Sequence, residues 1–209
     1  GNVIMNIGDG VSARYYNPGD KVPANYQLLL TFKDESFLVF TVAMYGFISA
    51  YPDAVIDNKY YTISRESISP LSDAYTEAEF EKLFAFAKKT LTAKALLATE
   101  QRIPGVGNGV TQDILFNAGI HPKQKVFDLS DGQKGVLFKS LKDTLMAMTS
   151  GRGRDTQTDL YGNEGGYKTI LSSKTWKNPC PRCGSVIVKE AYLGGSVYYC
   201  SECQKIRKT

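Results

Sequence analysis

All four cysteines of this 209-residue sequence lie between positions 180 and 203, where they form two C-x2-C pairs. Cys180 and Cys183 make the first pair, Cys200 and Cys203 make the second, and sixteen residues separate the two pairs. Two such pairs, each on a tight turn, bring four thiolates to one tetrahedral site, which is the geometry that Zn²⁺ prefers. The spacing therefore predicts one structural zinc, because four thiolates leave no open position for catalysis.

The alternative use of the four cysteines is a pair of structural disulfides. Closely paired cysteines suit a metal better, and the sequence has no cysteine elsewhere. Gly194 and Gly195 supply a hairpin turn between the pairs, and the flanking runs "SVIVKEAY" and "SVYYC" are rich in β-forming residues. We therefore predict a C-terminal zinc-ribbon β-hairpin, which Cys200→Ser is expected to unfold while the helical part of the chain stays folded.

A second stretch with chemical potential is "RIPGVGNGVTQDILFNAGIHP", residues 102 to 122, in which a glycine-rich turn opens a helix. The free N–H groups and the positive dipole end at such a helix start form a site for a phosphate. Gly105 and Gly107 let the backbone approach a ligand closely, and Asn108 adds an amide donor beside them. The alternative is an ordinary helix–turn–helix corner, in which the glycines serve only the turn.

The positive charge of the sequence is concentrated at its C-terminal end. Residues 173 to 209 hold seven Lys or Arg against two Glu, whereas the remaining residues carry a net charge of −1. A basic ribbon on a nearly neutral body indicates a polyanionic partner, and a solubilising tail is the alternative. An apolar content of 43%, the lack of any run of 18 apolar residues and the lack of a signal sequence predict a globular, cytoplasmic protein that spans no membrane.

The elements that position these groups predict an α+β fold in three parts. Residues 1 to 64 carry β-branched and aromatic runs separated by turn residues, so they are expected to form an antiparallel β-sandwich portion. Residues 65 to 172 are expected to be a helical domain, and residues 173 to 209 the zinc finger. Residues 52 to 75 have the proline and serine content of a linker.

Within the helical part, capping and periodicity predict four helices. The first begins at the capping box of Thr76 and Glu79, two more cover residues 93 to 101 and 110 to 118, and the last begins at the capping box of Ser130 and Gln133.

The runs "PGVGN" and "ILFNAGIHP", followed by "CPRCG" and "YYCSECQ", resemble the two diagnostic motifs of the formamidopyrimidine-DNA glycosylase and endonuclease VIII family. The order of strands, helices and four-cysteine ribbon is similar to that family over nearly the whole chain. The resemblance implies a β-sandwich, a helix–two-turn–helix domain and a C-terminal zinc finger. It also implies base-excision repair, with a monomer acting as a DNA glycosylase and AP lyase on damaged double-stranded DNA.

The resemblance also implies roles for individual residues. Asn108 matches the asparagine that holds a phosphate beside the damaged nucleotide, and Lys94 falls where the family often has a lysine facing the lesion. A solvated helix lysine is the alternative for Lys94. Residues 154 to 167 resemble the loop that covers the everted base, and a loop without contact to DNA is the alternative there.

At the hairpin tip of the ribbon, where the family usually carries an arginine, this sequence has Gly195. Lys189 and Tyr192 are partial substitutes. The expected DNA-binding residues are thus Lys94, Gly105, Gly107, Asn108, Arg154 and Lys189.

Other positions depart from the family pattern. The family's chemistry uses an N-terminal proline amine, which attacks the sugar C1′ to form a Schiff base, and a neighbouring glutamate that handles protons. Positions 1 and 2 here are Gly and Asn, and about seventy residues of the family pattern are absent upstream. No catalytic residue is therefore assigned. Asp9, with Met44 and Tyr45, stands where the family fills the gap left by the flipped base.

Two alternatives to a glycosylase stay open at this point. One is a non-catalytic protein that binds damaged DNA through the same scaffold. The other is an RNA-binding zinc-finger protein, because zinc ribbons by themselves are common in translation.

Overall fold

In the computed structural model, the described residues are 3–43, 46–52, 56–85 and 87–207. They divide into two compact units. The first unit runs to Thr62 and includes Gln157–Gly165, and the second comprises Ile63–Thr156 and the chain from Gly166 onward. Met44 and Tyr45, expected near the flipped base, lie outside the described residues. The predicted α+β class with antiparallel sheets is confirmed.

The described residues of the first unit form five strands in two antiparallel sheets. The strands are β1 (Val3–Ile7), β2 (Val11–Tyr16), β3 (Leu28–Thr31), β4 (Phe37–Val42) and β5 (Ile48–Pro52). β1 pairs with β5, and β4 lies between β2 and β3 in the second sheet. As the central strand, β4 buries Phe37, Val39 and Phe40, which is why its sequence is the most continuously apolar of the five.

Five helices follow in the described part of the chain. They are α1 (Lys59–Glu66), α2 (Glu77–Ala85), α3 (Ala93–Ala98), α4 (Asn108–Ala118) and α5 (Asp131–Ser150). The capping box at Ser130 and Gln133 is confirmed, with both reciprocal hydrogen bonds present. α4 ends at Gly119, whose φ of 65° places it in the left-handed region that glycine adopts without a steric cost.

The core of the second unit lies between α3, α4 and α5. Leu96, Ile114, Leu137 and Leu141 have no exposed surface, and Phe80 from α2 closes the same cluster. Burying a side chain of this size stabilises the fold by roughly 1.5–3 kcal/mol. This core fixes the direction of α4, and therefore the place where its first residues meet solvent.

The predicted linker over residues 52 to 75 is wrong in part, because it contains α1. The side chain of Asn58 caps this helix, since its Oδ1 accepts hydrogen bonds from the N–H groups of Tyr60 (2.9 Å) and Tyr61 (3.2 Å). An asparagine ahead of a helix is a start signal that the proline and serine content obscured. The short strand β5 was also missed, because only its pairing with the distant β1 defines it.

The C-terminal hairpin consists of β6 (Ile187–Tyr192) and β7 (Gly195–Cys200). Its two-residue turn has φ of 50° at Leu193 and 72° at Gly194, which is the left-handed geometry that suits a tight hairpin. The hairpin and the helices belong to one compact unit. The boundaries 1–64, 65–172 and 173–209 stay a prediction. Among the described residues, no helix combines the length and apolar character needed to cross a membrane.

Candidate metal centre and phosphate-binding site

The four cysteine sulfurs lie together at the open end of the hairpin, all within 4.8 Å of one another. Two Sγ–Sγ distances are 3.8 Å (Cys180 to Cys203) and 3.5 Å (Cys183 to Cys200). A tetrahedral zinc with Zn–S bonds of about 2.3 Å requires sulfur–sulfur edges of about 3.8 Å. All four are free cysteines, so the alternative of two disulfides does not apply. The residues fit a tetrahedral metal ion.

Hydrogen bonds hold each C-x2-C turn in place. The N–H of Cys180 donates to Ser185 O (2.7 Å), and that of Gly184, at φ 77°, donates to Cys180 O (2.8 Å). At the second pair, the N–H of Cys200 donates to Oε1 of Gln204 (3.0 Å). Gln204 is fully buried, and its Nε2 donates to Ile120 O (2.9 Å) just after α4. The second ligand turn is thereby tied to the end of that helix.

The electrostatics of the cluster favour a cation. Hydrogen bonds from the side chain and backbone of Ser185 lower the pKa of Cys183 to about 6, so this thiol readily supplies a thiolate. Burial and the neighbouring sulfurs raise the pKa of Cys203 to about 12 and also raise that of Cys200. Four thiolates this close repel one another unless a positive ion offsets their charge. A divalent metal would hold all four in the ionised form.

One face of the hairpin packs against α4. Ile187, Tyr198 and Cys200 share a buried cluster with Phe116 of α4 and with Leu171. Next to this cluster, the side-chain amide of Gln112 of α4 hydrogen-bonds to the backbone of β7, in the way that the backbone of a neighbouring strand would. Its Nε2 donates to Ser196 O (3.1 Å), and its Oε1 accepts from the N–H of Tyr198 (3.1 Å).

The opposite face packs against α3 and the segment after α4. The rings of His121 and Tyr199 lie 4.2 Å apart between centroids, and Lys123 forms a 2.8 Å ion pair with Glu190. The hydroxyl of Tyr192 donates to Oγ1 of Thr92 (3.0 Å). Residues on both faces of the hairpin therefore pack against the rest of the second unit, although Lys189 of β6 stays exposed.

Lys94 lies beneath this second face. Its side chain is buried, at 2% exposed, and its Nζ donates to the backbone oxygen of Tyr192. Burial lowers the pKa of Lys94. The solvated helix lysine considered as the alternative is therefore not found, and a role facing a lesion stays a prediction.

The glycine-rich turn places Asn108 at the start of α4, next to the hairpin tip. Gly107 is the N-cap residue and has no side chain to occupy the free N–H groups of the first turn. Asn108 is exposed, and its Nδ2 donates to Ser196 O at 3.2 Å. A side-chain amide carries two N–H donors, so this contact fixes Asn108 and leaves one donor for a ligand.

Gly105 and Gly107 keep this turn open. Gly105 has φ of 80°, a conformation that favours glycine, and a Cβ added at either position would meet no atom within 4 Å. A ligand can therefore approach the backbone here without a side chain in its way. The turn has the geometry expected of a phosphate site.

Arg154 reaches the same helix start from the long loop that follows α5. Its guanidinium lies directly against Gly109, where an added Cβ would overlap it. The fully buried Asp113 anchors the returning part of this loop, because its carboxylate accepts the N–H groups of Ile170 (2.9 Å) and Leu171 (2.8 Å). Burial raises the pKa of Asp113, and these hydrogen bonds act in the opposite direction.

The structure thus brings Gly105, Gly107, Asn108 and Arg154 to one end of α4. Lys189 lies on β6, exposed, with its Nζ over the ring of Trp176. Their contacts with DNA stay predictions. Sequence reasoning missed Gln112 and Asp113, because two polar residues in the middle of a helix carry no signal that they are buried.

The loop predicted to cover an everted base, residues 154 to 167, is divided between the units. In the first unit, its tip packs on β2, where the rings of Tyr15 and Tyr161 meet edge to face at 5.5 Å between centroids. The N–H of Tyr15 also donates to Leu160 O (2.8 Å). The loop is ordered here by its own contacts, and its role over a base stays a prediction.

Comparison with known proteins identified curated relatives and solved structures, whereas no family model matches the chain. The chain is 31% identical over 139 residues to a formamidopyrimidine-DNA glycosylase of Carboxydothermus hydrogenoformans, covering 65% of this chain and 52% of that protein. It is 26% identical over 193 residues to the formamidopyrimidine-DNA glycosylase of Shouchella clausii, covering 90% of this chain and 69% of that protein. The chain spans about half the length of the first of these relatives.

Solved structures share the fold. The Lactococcus lactis Fpg, in complex with DNA that contains an abasic site, superposes with a TM-score of 0.77 at 22% identity, covering 97% of this chain and 74% of that one. The MutM (Fpg) protein of Thermus thermophilus also has a TM-score of 0.77, at 21% identity, covering 100% of this chain and 78% of that one. The predicted resemblance to the formamidopyrimidine-DNA glycosylases is therefore confirmed.

Proposed function

Because the chain is a relative of the formamidopyrimidine-DNA glycosylases, we propose that it binds damaged duplex DNA in base-excision repair, as an intracellular monomer. The observation that carries the proposal is the start of α4, where Asn108 stands beside free helix N–H groups and a glycine turn. A phosphate at this point would meet the positive end of the helix dipole and an amide donor together.

Arg154 adds charge to the same site. Its guanidinium against Gly109 brings a second positive group to an already positive helix end. That combination favours an anion, because a phosphate accepts hydrogen bonds from both sources at once. We propose that Gly105, Gly107, Asn108 and Arg154 form one backbone-phosphate site beside the damaged nucleotide.

One zinc ion is proposed as the metal of the four-cysteine centre, with a structural role. Four thiolate ligands complete a tetrahedral shell, so the ion would supply folding energy and no Lewis-acid chemistry. The ribbon that the centre organises supports α4 at two places, through Gln112 in the middle of the helix and through Gln204, which donates to Ile120 O just after its end. The metal would thereby maintain the phosphate site from a distance.

Removal of oxidised bases, with AP-lyase cleavage, is proposed for the protein when an N-terminal proline and glutamate are present. The 209 residues here do not supply that pair at positions 1 and 2. A non-catalytic protein that binds damaged DNA is the second candidate, since the groups at α4 bind without performing chemistry. An RNA-binding ribbon is less favoured, because residues on both faces of the hairpin pack against the helices, so the ribbon is not an independent module.

Asn108→Ala tests the phosphate site. We expect it to weaken binding to a duplex with an abasic-site analogue by about 1–3 kcal/mol, because a hydrogen bond to a charged group is lost. The loss should be nearly the same for every duplex sequence, since phosphate contacts position the protein and do not read bases. Fluorescence anisotropy with labelled duplex measures both effects.

The matched control is Asn117→Ala, which removes an amide from the last turn of the same helix, where its Nδ2 donates to Thr144 Oγ1 (3.1 Å). Its affinity should equal that of the unmodified chain. If Asn108→Ala binds within about twofold of the unmodified protein, the glycine turn is only a structural corner and the phosphate site is wrong.

Gly109→Ala tests the position of Arg154 separately from folding. Alanine favours a helix over glycine by up to about 1 kcal/mol, so thermal stability should be unchanged or higher. The new Cβ would displace the guanidinium, which is the flexible end of a side chain, and affinity for abasic-site duplex should fall about tenfold.

Gly132→Ala on α5 is the control, because an added Cβ there meets no atom within 4 Å. Gly132→Ala should change the melting temperature as Gly109→Ala does, and its affinity for abasic-site duplex should equal that of the unmodified chain. Equal affinity for the two glycine variants would show that Arg154 does not contact DNA.

A further inference from the structure

Three cations surround the aromatic cluster on the α4-facing side of the ribbon. The Nζ atoms of Lys189 and Lys177 lie 5.2 and 5.8 Å from the centre of the Trp176 indole ring. The guanidinium carbon of Arg182 lies 4.5 Å from the ring centre of Phe116, which belongs to the same cluster. We call Trp176, Lys177 and Lys189 the Trp176 patch.

The rings hold these cations in place. An indole face attracts an ammonium group, and Arg182 is fixed further by donating to Asn117 O at 3.1 Å. Trp176 itself is half-buried and packs into the cluster, whereas the three cationic residues are exposed. Two ammonium groups directed at one ring repel each other, so the arrangement favours an anion close by.

The charge of the patch is not offset within the described parts of the chain. Both glutamates of the ribbon pair elsewhere, Glu190 with Lys123 on the opposite face and Glu202 with Lys205. No ion pair among the described residues involves Lys177, Arg182 or Lys189. The patch is therefore a net positive surface held on a rigid base.

The register of the hairpin places the patch next to Asn108. Lys189 pairs with Tyr198, and two residues nearer the tip, on the same face, Ala191 pairs with Ser196. Ser196 is the residue whose carbonyl accepts the Asn108 amide. Two strand residues span about 7 Å. Successive phosphates of one DNA strand rise by about 3.4 Å along the helix axis, so a spacing of this size is on the scale of one or two nucleotides.

We propose that the Trp176 patch is a second contact for the DNA backbone, which binds the phosphates next to the one at Asn108. This inference rests on the proposed function. It gives the ribbon a cationic contact on its flat side, while the hairpin tip has only Gly195. Duplex DNA is the fitting partner because its phosphates continue along the strand from the site at α4.

Trp176 is the single tryptophan of the chain, so its fluorescence reports on the patch directly. Titration with abasic-site duplex should change the emission excited at the red edge of the tryptophan band. The duplex concentration at which half of the emission change has occurred should equal the midpoint of the binding curve measured by the anisotropy of labelled duplex. A matched titration with double-stranded RNA shows whether the patch prefers DNA, and equal affinity for RNA would overturn the assignment to DNA.

The second measurement is the salt dependence of binding for Lys177→Ala/Lys189→Ala. Losing two phosphate contacts should lower the slope of log K against log salt by about 1.8. The control is Lys82→Ala/Lys139→Ala, which removes two exposed lysines that already pair with Glu79 and Asp143. That control should keep the wild-type slope, although it changes net charge by the same amount.

The outcomes separate this inference from the proposed function. If the unmodified chain does not bind duplex DNA, the proposed function itself fails. If it binds and Asn108→Ala weakens it, but the lysine pair leaves the slope unchanged and Trp176 emission is constant, only the patch is wrong. Far-UV circular dichroism confirms folding, which exposed lysines are not expected to affect.

Discussion

Removing the metal, or replacing Cys200 by serine, is expected to unfold the helical part of the second unit together with the ribbon. The sequence alone led to the expectation that the helices would survive. The structure changes that expectation, because residues on both faces of the hairpin pack against the helical unit. Tyr198 and Ile187 complete a cluster with Phe116 of α4, so a disordered hairpin would expose the underside of that helix.

The expected effect is large in free energy. Structural zinc contributes about 10–16 kcal/mol in small zinc-binding peptides. A domain of this kind has a total unfolding free energy of about 5–15 kcal/mol. A disordered hairpin would also leave Gln204 and Gln112, both buried, without their partners on the ribbon. Unpaired buried amides cost a further 1–3 kcal/mol or so each.

Helical circular dichroism during chelator treatment and heating measures this coupling, and elemental analysis identifies the metal. The helical signal and the Trp176 emission should be lost together as zinc is released. Ser201→Ala is the control, because it changes an exposed residue between the second pair of ligands without removing a sulfur. Helices that melt at the wild-type temperature after metal release would contradict the coupling, and metal-free protein purified without chelator would exclude the zinc.

The features that could be predicted from sequence are those encoded locally. The two C-x2-C pairs, the capping box at Ser130 and the end of α4 at Gly119 each depend on residues a few positions apart. Backbone geometry within one turn decides them, so residue type and spacing are sufficient. The glycine turn before α4 is also encoded locally, although the helix begins at Asn108, two residues before the predicted start at 110.

The features that could not be predicted depend on contacts between distant parts of the chain. Gln112 pairs with Tyr198, 86 positions away, and Lys94 donates to Tyr192, 98 positions away. A polar residue on a helix looks solvated until a partner covers it, and nothing local marks that partner. The burial of Lys94 therefore arises from the docking of the hairpin and has no counterpart in the sequence around position 94.

That burial also bears on catalysis. A polypeptide of these 209 residues is expected to bind abasic-site duplex without forming a covalent complex with it. Schiff-base formation needs an uncharged amine within reach of the sugar C1′. The family resemblance assigns this role to an N-terminal proline next to a glutamate, and this sequence has Gly and Asn at positions 1 and 2.

Lys94 is the lysine that the resemblance brings to the lesion, and its surroundings exclude it as the nucleophile. Burial lowers the pKa of Lys94, which by itself would favour an uncharged and reactive amine. However, the side chain is only 2% exposed, and its Nζ donates to the Tyr192 oxygen beneath the hairpin. A sugar carbon cannot reach this nitrogen unless the hairpin leaves its place.

Borohydride trapping with duplex that carries an aldehydic abasic site separates binding from chemistry. The unmodified chain should shift the duplex in a native gel, which shows binding. After borohydride treatment it should give no more covalent product than Asn108→Ala, the variant expected to bind more weakly. A family member that carries the N-terminal proline, treated in parallel, should be trapped. A covalent product from this chain, mapped by mass spectrometry to Lys94, would mean that the hairpin opens on DNA. The groups proposed to bind DNA at α4 include no reacting amine, so this experiment tests binding and chemistry independently.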